Sequence, residues 1–217
     1  MSRIKSALEL ALERTENVQG DSRKLLEHER KQDGKRLLAK FYEILQEGGI
    51  PESDWPQGLF GKPKDGIDAA RMQLSRKIQA FPKEEQKWVR EGLKEVLLAG
   101  IVLPSEDNYR VFLEPARQAA RALSSSPDID TLFSQASQIF DQYLQEKQQL
   151  IDNLKQQFAP RIRQKEDAYA KQTGQRITIN PETDPEFQQY LQQGMEQLRG
   201  YYIQAVQQLR VQLAELI

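Results

Sequence analysis

The chain of 217 residues contains no cysteine and a single histidine. The missing cysteines exclude disulfide bonds, thiolate metal sites and a cysteine nucleophile, and they fit a reducing compartment. His28 stands between Glu27 and Glu29, and residues one position apart on a helix point in different directions instead of converging on a ligand. A bundle-type dimetal site would need a glutamate three residues before the histidine, where this chain has Leu25. We therefore predict a non-enzymatic protein without catalytic residues, metal or cofactor; an enzyme that uses only carboxylates and tyrosine is the alternative.

The chain also lacks an excess of charge of either sign, because it contains 31 basic and 32 acidic residues. Divided at Pro127, the front part has 22 basic and 20 acidic residues, and the back part has 9 and 12. A dedicated nucleic-acid surface or a polybasic membrane anchor uses surplus Lys and Arg to neutralise phosphate. The balance argues against nucleic acid as a partner, and it leaves a local basic patch possible.

Long hydrophobic runs are absent too. The longest run, 96–103, is far shorter than the roughly 20 apolar residues that a membrane-spanning helix needs. The first fifteen residues are amphipathic and have no apolar segment followed by a small-residue cleavage site. We therefore expect no transmembrane segment and no secretory signal, and we predict a cytoplasmic location.

What the sequence does have is helical periodicity, which is strongest from residue 129 onward. Apolar residues there recur at steps of three or four, the spacing of one stripe along a helix. The stripe of the first arm consists of Phe133, Ala136, Phe140, Tyr143, Lys147, Leu150 and Leu154. The stripe of the second arm consists of Phe187, Leu191, Met195, Leu198, Tyr202, Ala205, Leu209, Leu213 and Leu216. Each arm is therefore predicted to be one long amphipathic helix.

The two arms are separated by residues that interrupt a helix. Gly174 breaks the pattern, Pro181 and Pro185 prevent simple continuation, and Asp184 is suited to cap a helix that has Pro185 in its first position. The sequence thus predicts a long antiparallel, coiled-coil-like helical hairpin over 128–217, with its tip at about 173–184.

Residues 1–127 predict a compact N-terminal helical bundle, so the whole chain is expected to be all-α. A first helix from residue 2 to about 18 is expected to end at Gly20, and a second to run from Asp21 to about residue 46. An irregular loop follows at about 48–65, and helices resume at Gly66. Residues 101–113 are compatible with a helix after Ser105 or with a small β-hairpin, and we favour the helix. The polar segment 124–127 is the predicted domain boundary.

Two sets of residues on the hairpin are candidates for partner binding. The first is an additional apolar row on the first arm, formed by Ile139, Leu144, Ile151 and Phe158. An apolar strip of this kind on a monomer is an association surface, unless it packs on the N-terminal bundle. The second is a basic group near the tip, formed by Arg161, Arg163, Lys165, Lys171 and Arg176. This group is suited to an acidic partner or phosphates, although Glu166 and Asp167 interrupt it and a solvated face is the simpler interpretation.

Two further features of the hairpin carry predictions. Pro160 lies inside the first arm, where proline removes one backbone hydrogen bond and costs about 3 kcal/mol relative to alanine. Ala159 before it is a poor cap for a new helix, so we expect a kinked, continuous helix. At the tip, Ile177 and Ile179 are expected to fold onto Tyr169 and Phe187.

These observations favour a non-enzymatic interaction or scaffold protein that uses the hairpin to bind a protein partner or a second copy of itself. An alternative is a chaperone-like holdase that clamps unfolded clients with the hairpin, which exposed aromatic rows would favour. A second alternative is a nucleic-acid accessory factor that acts through the basic tip. No small-molecule site is identified, because the Gly58–Lys62 segment lacks the spacing of a phosphate-binding loop.

Overall fold

A computed structural model describes residues 7–55 and 63–217, with side chains from residue 22 onward. Over these residues the chain forms six α-helices and three short 3-10 helices, and it contains no β-strand there. The prediction of an all-α protein is therefore confirmed.

The first helix, α1, spans Ala7–Gln46 and is 40 residues long. The prediction that Gly20 ends a first helix is wrong, because α1 passes through that residue without a break. A single glycine inside a helix costs about 1 kcal/mol relative to alanine, which a long helix tolerates. The predicted apolar face at residues 4–12 lies outside the described side chains. Gly48 and Gly49, which both have positive φ angles, follow the end of α1, as the sequence predicted.

The irregular segment after α1 is fixed at both of its ends. The backbone N–H of Ile50 donates to the carbonyl of Gly66 over 3.0 Å. The indole Nε1 of Trp55 donates to the carbonyl of Ile50 over 2.9 Å, so this tryptophan holds the start of the loop in place. Residues 56–62, which include the phosphate-loop-like segment, lie outside the described part of the chain.

Two shorter helices complete the front of the molecule. α2 spans Gly66–Gln79 and is capped by Asp65, whose carboxylate accepts from the backbone N–H of Asp68 over 2.7 Å. α3 spans Gln86–Gly100. The buried apolar side chains of these helices and α1 form the front core: Leu38, Phe41, Ala69, Ala70, Leu74, Ile78, Trp88, Val89, Leu93 and Leu97.

Helices α1 and α3 approach each other through two glycines. A Cβ atom built on Gly34 would lie 2.1 Å from the carbonyl oxygen of Val89, and one built on Gly92 would lie 2.0 Å from the carbonyl oxygen of Lys31. No side chain fits between the two backbones at either place. Ion pairs flank this contact, with Lys31 next to Glu91 at 3.1 Å and Lys35 next to Glu95 at 2.9 Å.

The segment 101–113, which the sequence left open, contains no strand. A 3-10 turn at Asp107–Tyr109 leads directly into α4, which spans Arg110–Leu123. A helix after Ser105, the favoured alternative, is therefore present. It begins five residues before Pro115, and that proline lies inside the helix.

The C-terminal part of the chain consists of two long helices. α5 spans Asp128–Thr173 and is 46 residues long, and α6 spans Pro185–Leu216 and is 32 residues long. A 3-10 turn, Pro181–Thr183, lies between them. α5 is continuous through Pro160, and the predicted kink at that residue stays a prediction. Knobs-into-holes packing of the coiled-coil type stays a prediction.

The chain divides into two compact units. The first consists of 1–100, 114–129 and 216–217, and the second consists of 101–113 and 130–215. The second unit therefore contains nearly all of α5 and α6 together with the turn that precedes α4. The predicted division into domains 1–127 and 128–217 stays a prediction.

None of the described helices combines the length and apolar character that crossing a membrane requires.

Candidate interaction surfaces on α5 and α6

Helices α5 and α6 run antiparallel, and three side-chain contacts fix their register. The rings of Tyr143 and Tyr202 are 5.4 Å apart, Gly194 packs against the side chain of Leu150, and the rings of Phe158 and Phe187 are 5.5 Å apart. Each step forward along α5 is thus matched by a similar step back along α6.

The distal part of this pair encloses a small apolar core. Its buried members are Leu154, Phe158, Ile162 and Phe187, and Leu150, Ile179 and Leu191 pack against them. Phe158 is only 5% exposed, so this member of the predicted association row belongs to the core between α5 and α6. Of the two tip isoleucines, Ile179 packs on the core with Phe187 as expected, whereas Ile177 is 38% exposed.

Three ion pairs join α5 to the segment that leads into α6. Lys155 lies 2.7 Å from Glu182, Arg161 pairs with Glu186, and Lys165 pairs with Asp184. Two of the basic residues predicted for partner binding, Arg161 and Lys165, are therefore engaged within the chain. The guanidinium of Arg161 also lies over the ring of Phe158, 5.2 Å from its centre.

Asp184 is the central residue of this connection. Its carboxylate accepts from the backbone N–H groups of Glu186 and Phe187, which makes it the N-cap of α6. The hydrogen bond from Lys165 and these backbone bonds hold the pKa of the Asp184 carboxyl below its ordinary value. Glu166 adds a further connection, because its carboxylate accepts from the backbone N–H of Ile179 over 2.7 Å. The tip is consequently a braced structure.

The other three predicted basic residues, Arg163, Lys171 and Arg176, are exposed. Within the described part of the chain, none of them forms an ion pair. Lys171 and Arg176 share the end of the hairpin with two half-exposed apolar side chains, Tyr169 at 39% and Ile177 at 38%. We call Tyr169, Lys171, Arg176 and Ile177 the distal surface.

The remaining residues of the predicted apolar row do not share one face. Ile139, Leu144 and Ile151 are each half-buried. On a helix with 3.6 residues per turn, the five-residue step from Ile139 to Leu144 is a rotation of about 140°. Leu144 and Ile151, seven residues apart, do lie on one side, and Ile139 lies on the opposite flank of the buried stripe.

Leu144 lines an open groove between α5 and the segment that precedes α4. The groove has a volume of about 620 Å³, and its charged lining residues are Glu106, Asp107, Asp141, Lys147 and Asp152. The ammonium of Lys147 donates to the carbonyl of Ser105 over 2.8 Å and so connects the two walls.

One wall of the groove is held by a polar network that the sequence did not reveal. The buried Tyr109 donates its hydroxyl to Asp141 over 2.6 Å, and Arg110 pairs with the same carboxylate at 3.0 Å. Burial and the Asp141 charge raise the pKa of the Tyr109 hydroxyl. In the sequence Tyr109 and Asp141 are 32 residues apart, and no local pattern joins them.

A family model described as a family of unknown function (DUF6657) matches residues 75–215. The chain belongs to the DUF6657 family. No curated protein and no solved structure matches it.

The DUF6657 match covers all of the α5/α6 surfaces described above and begins inside α2. Among the residues with described side chains, no group of three or more His, Asp or Glu is arranged to hold a metal ion. His28 is exposed, as its flanking glutamates suggested.

Proposed function

We propose that this protein is a helical interaction protein that binds another protein through the distal surface of α5 and α6. The observation that carries the proposal is the contrast between braced and unpaired cations at the same end of the hairpin. Arg161 and Lys165 are neutralised within the chain, whereas Lys171 and Arg176 are exposed next to Tyr169 and Ile177.

A surface that combines aromatic and aliphatic groups with cations has the composition of a protein interface. Its partner would present apolar side chains together with carboxylates. Because the ion pairs of Asp184 and Glu186 already hold the tip in one shape, little ordering entropy opposes binding there. Glu166 and Asp167 lie close by in the sequence and repel phosphate, so a protein fits this surface better than nucleic acid does.

Docking at the tip also fits the structure better than a client clamp. A holdase would present aromatic rows along both arms. On α5 the aromatic residues Phe133, Phe140, Tyr143 and Phe158 are buried and only Tyr169 is exposed, whereas on α6 Tyr190 and Tyr201 are exposed and Phe187 and Tyr202 are buried. The aromatic residues therefore do not form exposed rows on both arms, and the distal surface is the region that combines exposed apolar groups with cations outside any ion pair.

The proposal is tested by affinity capture with the purified, full-length chain. Wild-type protein and the variant Lys171→Glu/Arg176→Glu are immobilised and exposed to nuclease-treated native lysate, and the captured proteins are quantified by mass spectrometry. A matched control, Lys77→Glu/Lys83→Glu, makes the same charge change at exposed positions of the front unit. We expect a protein captured by the wild type and the control to be lost from the distal variant.

The captured protein is then purified and has to bind the wild type directly. We expect its dissociation constant for the distal variant to be at least about tenfold higher, because a few interface residues usually carry most of the binding free energy. Equal binding to both variants contradicts the proposal. Capture that depends on omitting the nuclease would also contradict it, and would favour a nucleic-acid function instead.

A further inference from the structure

The side of α5 that faces away from α6 carries a stripe of polar and small residues that differs from the distal surface. Its first members, Gln145, Gln148 and Asp152, also line the groove beside Glu106 and Asp107. The members of the stripe recur at steps of three or four and therefore lie on one side of the continuous helix. The stripe, which we call the outer stripe, consists of Gln145, Gln148, Asp152, Gln156, Ala159, Arg163, Asp167 and Ala170. All of its members are exposed except the two alanines, which are half-buried.

Two opposite charges of the outer stripe make no direct ion pair in the described part of the chain, although Glu182 and, more weakly, Asp152 raise the pKa of Lys155, which lies three residues after Asp152. Asp152 accepts a hydrogen bond from the amide of Gln148 at 3.0 Å, but neither it nor Arg163 forms an ion pair with any described residue. The two residues are eleven positions apart on the same helix, which corresponds to about 16 Å. They are too far apart to pair with each other in one molecule.

We propose that the outer stripe is a self-association surface, on which α5 of a second copy lies antiparallel. The two copies are related by a two-fold axis perpendicular to α5, which crosses the outer stripe midway between Gln156 and Ala159. This axis places Asp152 of each copy opposite Arg163 of the other. The same axis places Gln148 opposite Asp167 and Gln156 opposite Ala159. Every charged residue of the stripe then faces an opposite charge or an amide donor of the other copy's stripe.

The pairing between the two outer stripes follows from the order of the residues along α5. It is self-complementary, as an interface with two-fold symmetry must be. Near the axis, Ala159 is small enough to let the two helices approach. Farther out, each ion pair occurs twice, because the symmetry repeats it. A dimer that depends on exposed ion pairs is weak at high salt and forms most readily at low ionic strength.

This inference goes beyond the proposed function and uses different residues. The distal surface has none of its residues in the outer stripe. The double variant at Lys171 and Arg176 is expected to dimerise like the wild type, and variants at Asp152 and Arg163 are expected to retain the distal partner. Failure of one idea therefore does not imply failure of the other.

A charge-swap experiment provides the test. The full-length chain and three variants, Asp152→Arg, Arg163→Asp and the double variant Asp152→Arg/Arg163→Asp, are studied by sedimentation velocity over a range of concentrations at low salt. Circular dichroism checks that helix content is preserved. We expect each single reversal to raise the dissociation constant of the dimer at least about tenfold, because like charges then face each other twice. The double variant restores opposite charges and is expected to return to within about threefold of the wild type, since the two effects are coupled.

Because the chain has no cysteine, the axis itself is also testable. The variant Gln156→Cys/Ala159→Cys is expected to form a disulfide-linked dimer under mild oxidation, whereas Gln157→Cys, on another side of α5, is not. A wild-type chain that remains monomeric at high concentration and low salt overturns the proposal. A double charge swap that fails to restore a dimer lost in the single variants overturns it as well.

Discussion

Replacement of Gly34 by alanine is expected to destabilise the front of the molecule, although alanine is the better helix former. In an open helical position, the change from glycine to alanine stabilises by up to about 1 kcal/mol. At Gly34, the new Cβ would lie 2.1 Å from the Val89 carbonyl oxygen, where real Cβ atoms essentially never come within 3.0 Å. Because the obstacle is backbone, α1 and α3 have to move apart by about 1 Å.

Overpacking of this kind typically costs about 1–3 kcal/mol, and the separation also weakens the ion pairs of Lys31 and Lys35 with α3. After the gain in helix propensity is subtracted, we expect the free energy of unfolding to fall by about 1 kcal/mol and by no more than about 2 kcal/mol. Gly92→Ala should behave alike, because its Cβ would lie 2.0 Å from the carbonyl oxygen of Lys31. The double variant should lose less than the sum of both, since either change already separates the same two helices.

Urea denaturation monitored by tryptophan fluorescence suits this measurement, because both tryptophans, Trp55 and Trp88, lie in the first compact unit. The matched control is Gly100→Ala at the end of α3, where an added Cβ meets nothing within 4 Å. We expect this control to change the stability by less than about 0.5 kcal/mol. The reasoning is refuted if Gly34→Ala is as stable as the control.

Three further perturbations concern the hairpin. Ile179→Ser should open the tip and accelerate limited proteolysis near residue 175, because its side chain packs on the distal core. Ile177→Ser, at a position that is 38% exposed, is the matched control and should be cleaved like the wild type. Asp184 has a lowered pKa in the folded protein, so the stability it contributes is present above the carboxyl's unfolded pKa and is lost as the pH falls through the folded pKa. Asp184→Asn should therefore melt earlier than the wild type at neutral pH and show a smaller further loss on acidification, and parallel melting curves at all pH values would contradict this. Pro160→Ala restores a backbone hydrogen bond within α5 and should stabilise the helix by as much as about 3 kcal/mol. A calorimetric melting temperature that is unchanged would show that the wild-type helix already compensates for the proline.

The start of α6 could be predicted from the sequence with rules that concern only neighbouring residues. Asp184 followed by Pro185 marks the start of α6 because an aspartate cap and a proline in the first turn act through their nearest neighbours. The same rules gave a wrong break at Gly20, because the cost of one glycine is small compared with the stability of a 40-residue helix.

Contacts between helices could not be predicted from the sequence, and the pair Gly34 and Gly92 shows why. Gly34 and Gly92 both interrupt runs of good helix formers, and taken alone each suggests a weak point in its helix. Their actual role is to let α1 and α3 approach closely, and this role exists only once the two helices are paired. Hydrophobic periodicity indicates which side of a helix is buried, but it does not indicate which partner covers that side.

The basic residues near the tip illustrate the same limit and also suggest how it can be overcome. The sequence grouped Arg161, Arg163 and Lys165 as one candidate surface, because nothing local distinguished them. In an antiparallel pair, one known contact sets the register for its neighbours: Phe158 opposite Phe187 places the next turn of α5 alongside the residues just before Phe187. That register brings Arg161 and Lys165 to the acidic start of α6 and leaves Arg163 on the outer side. A single experimental contact between the two arms, such as one cross-link, would therefore have been enough to separate the cations that brace the tip from those that can meet a partner.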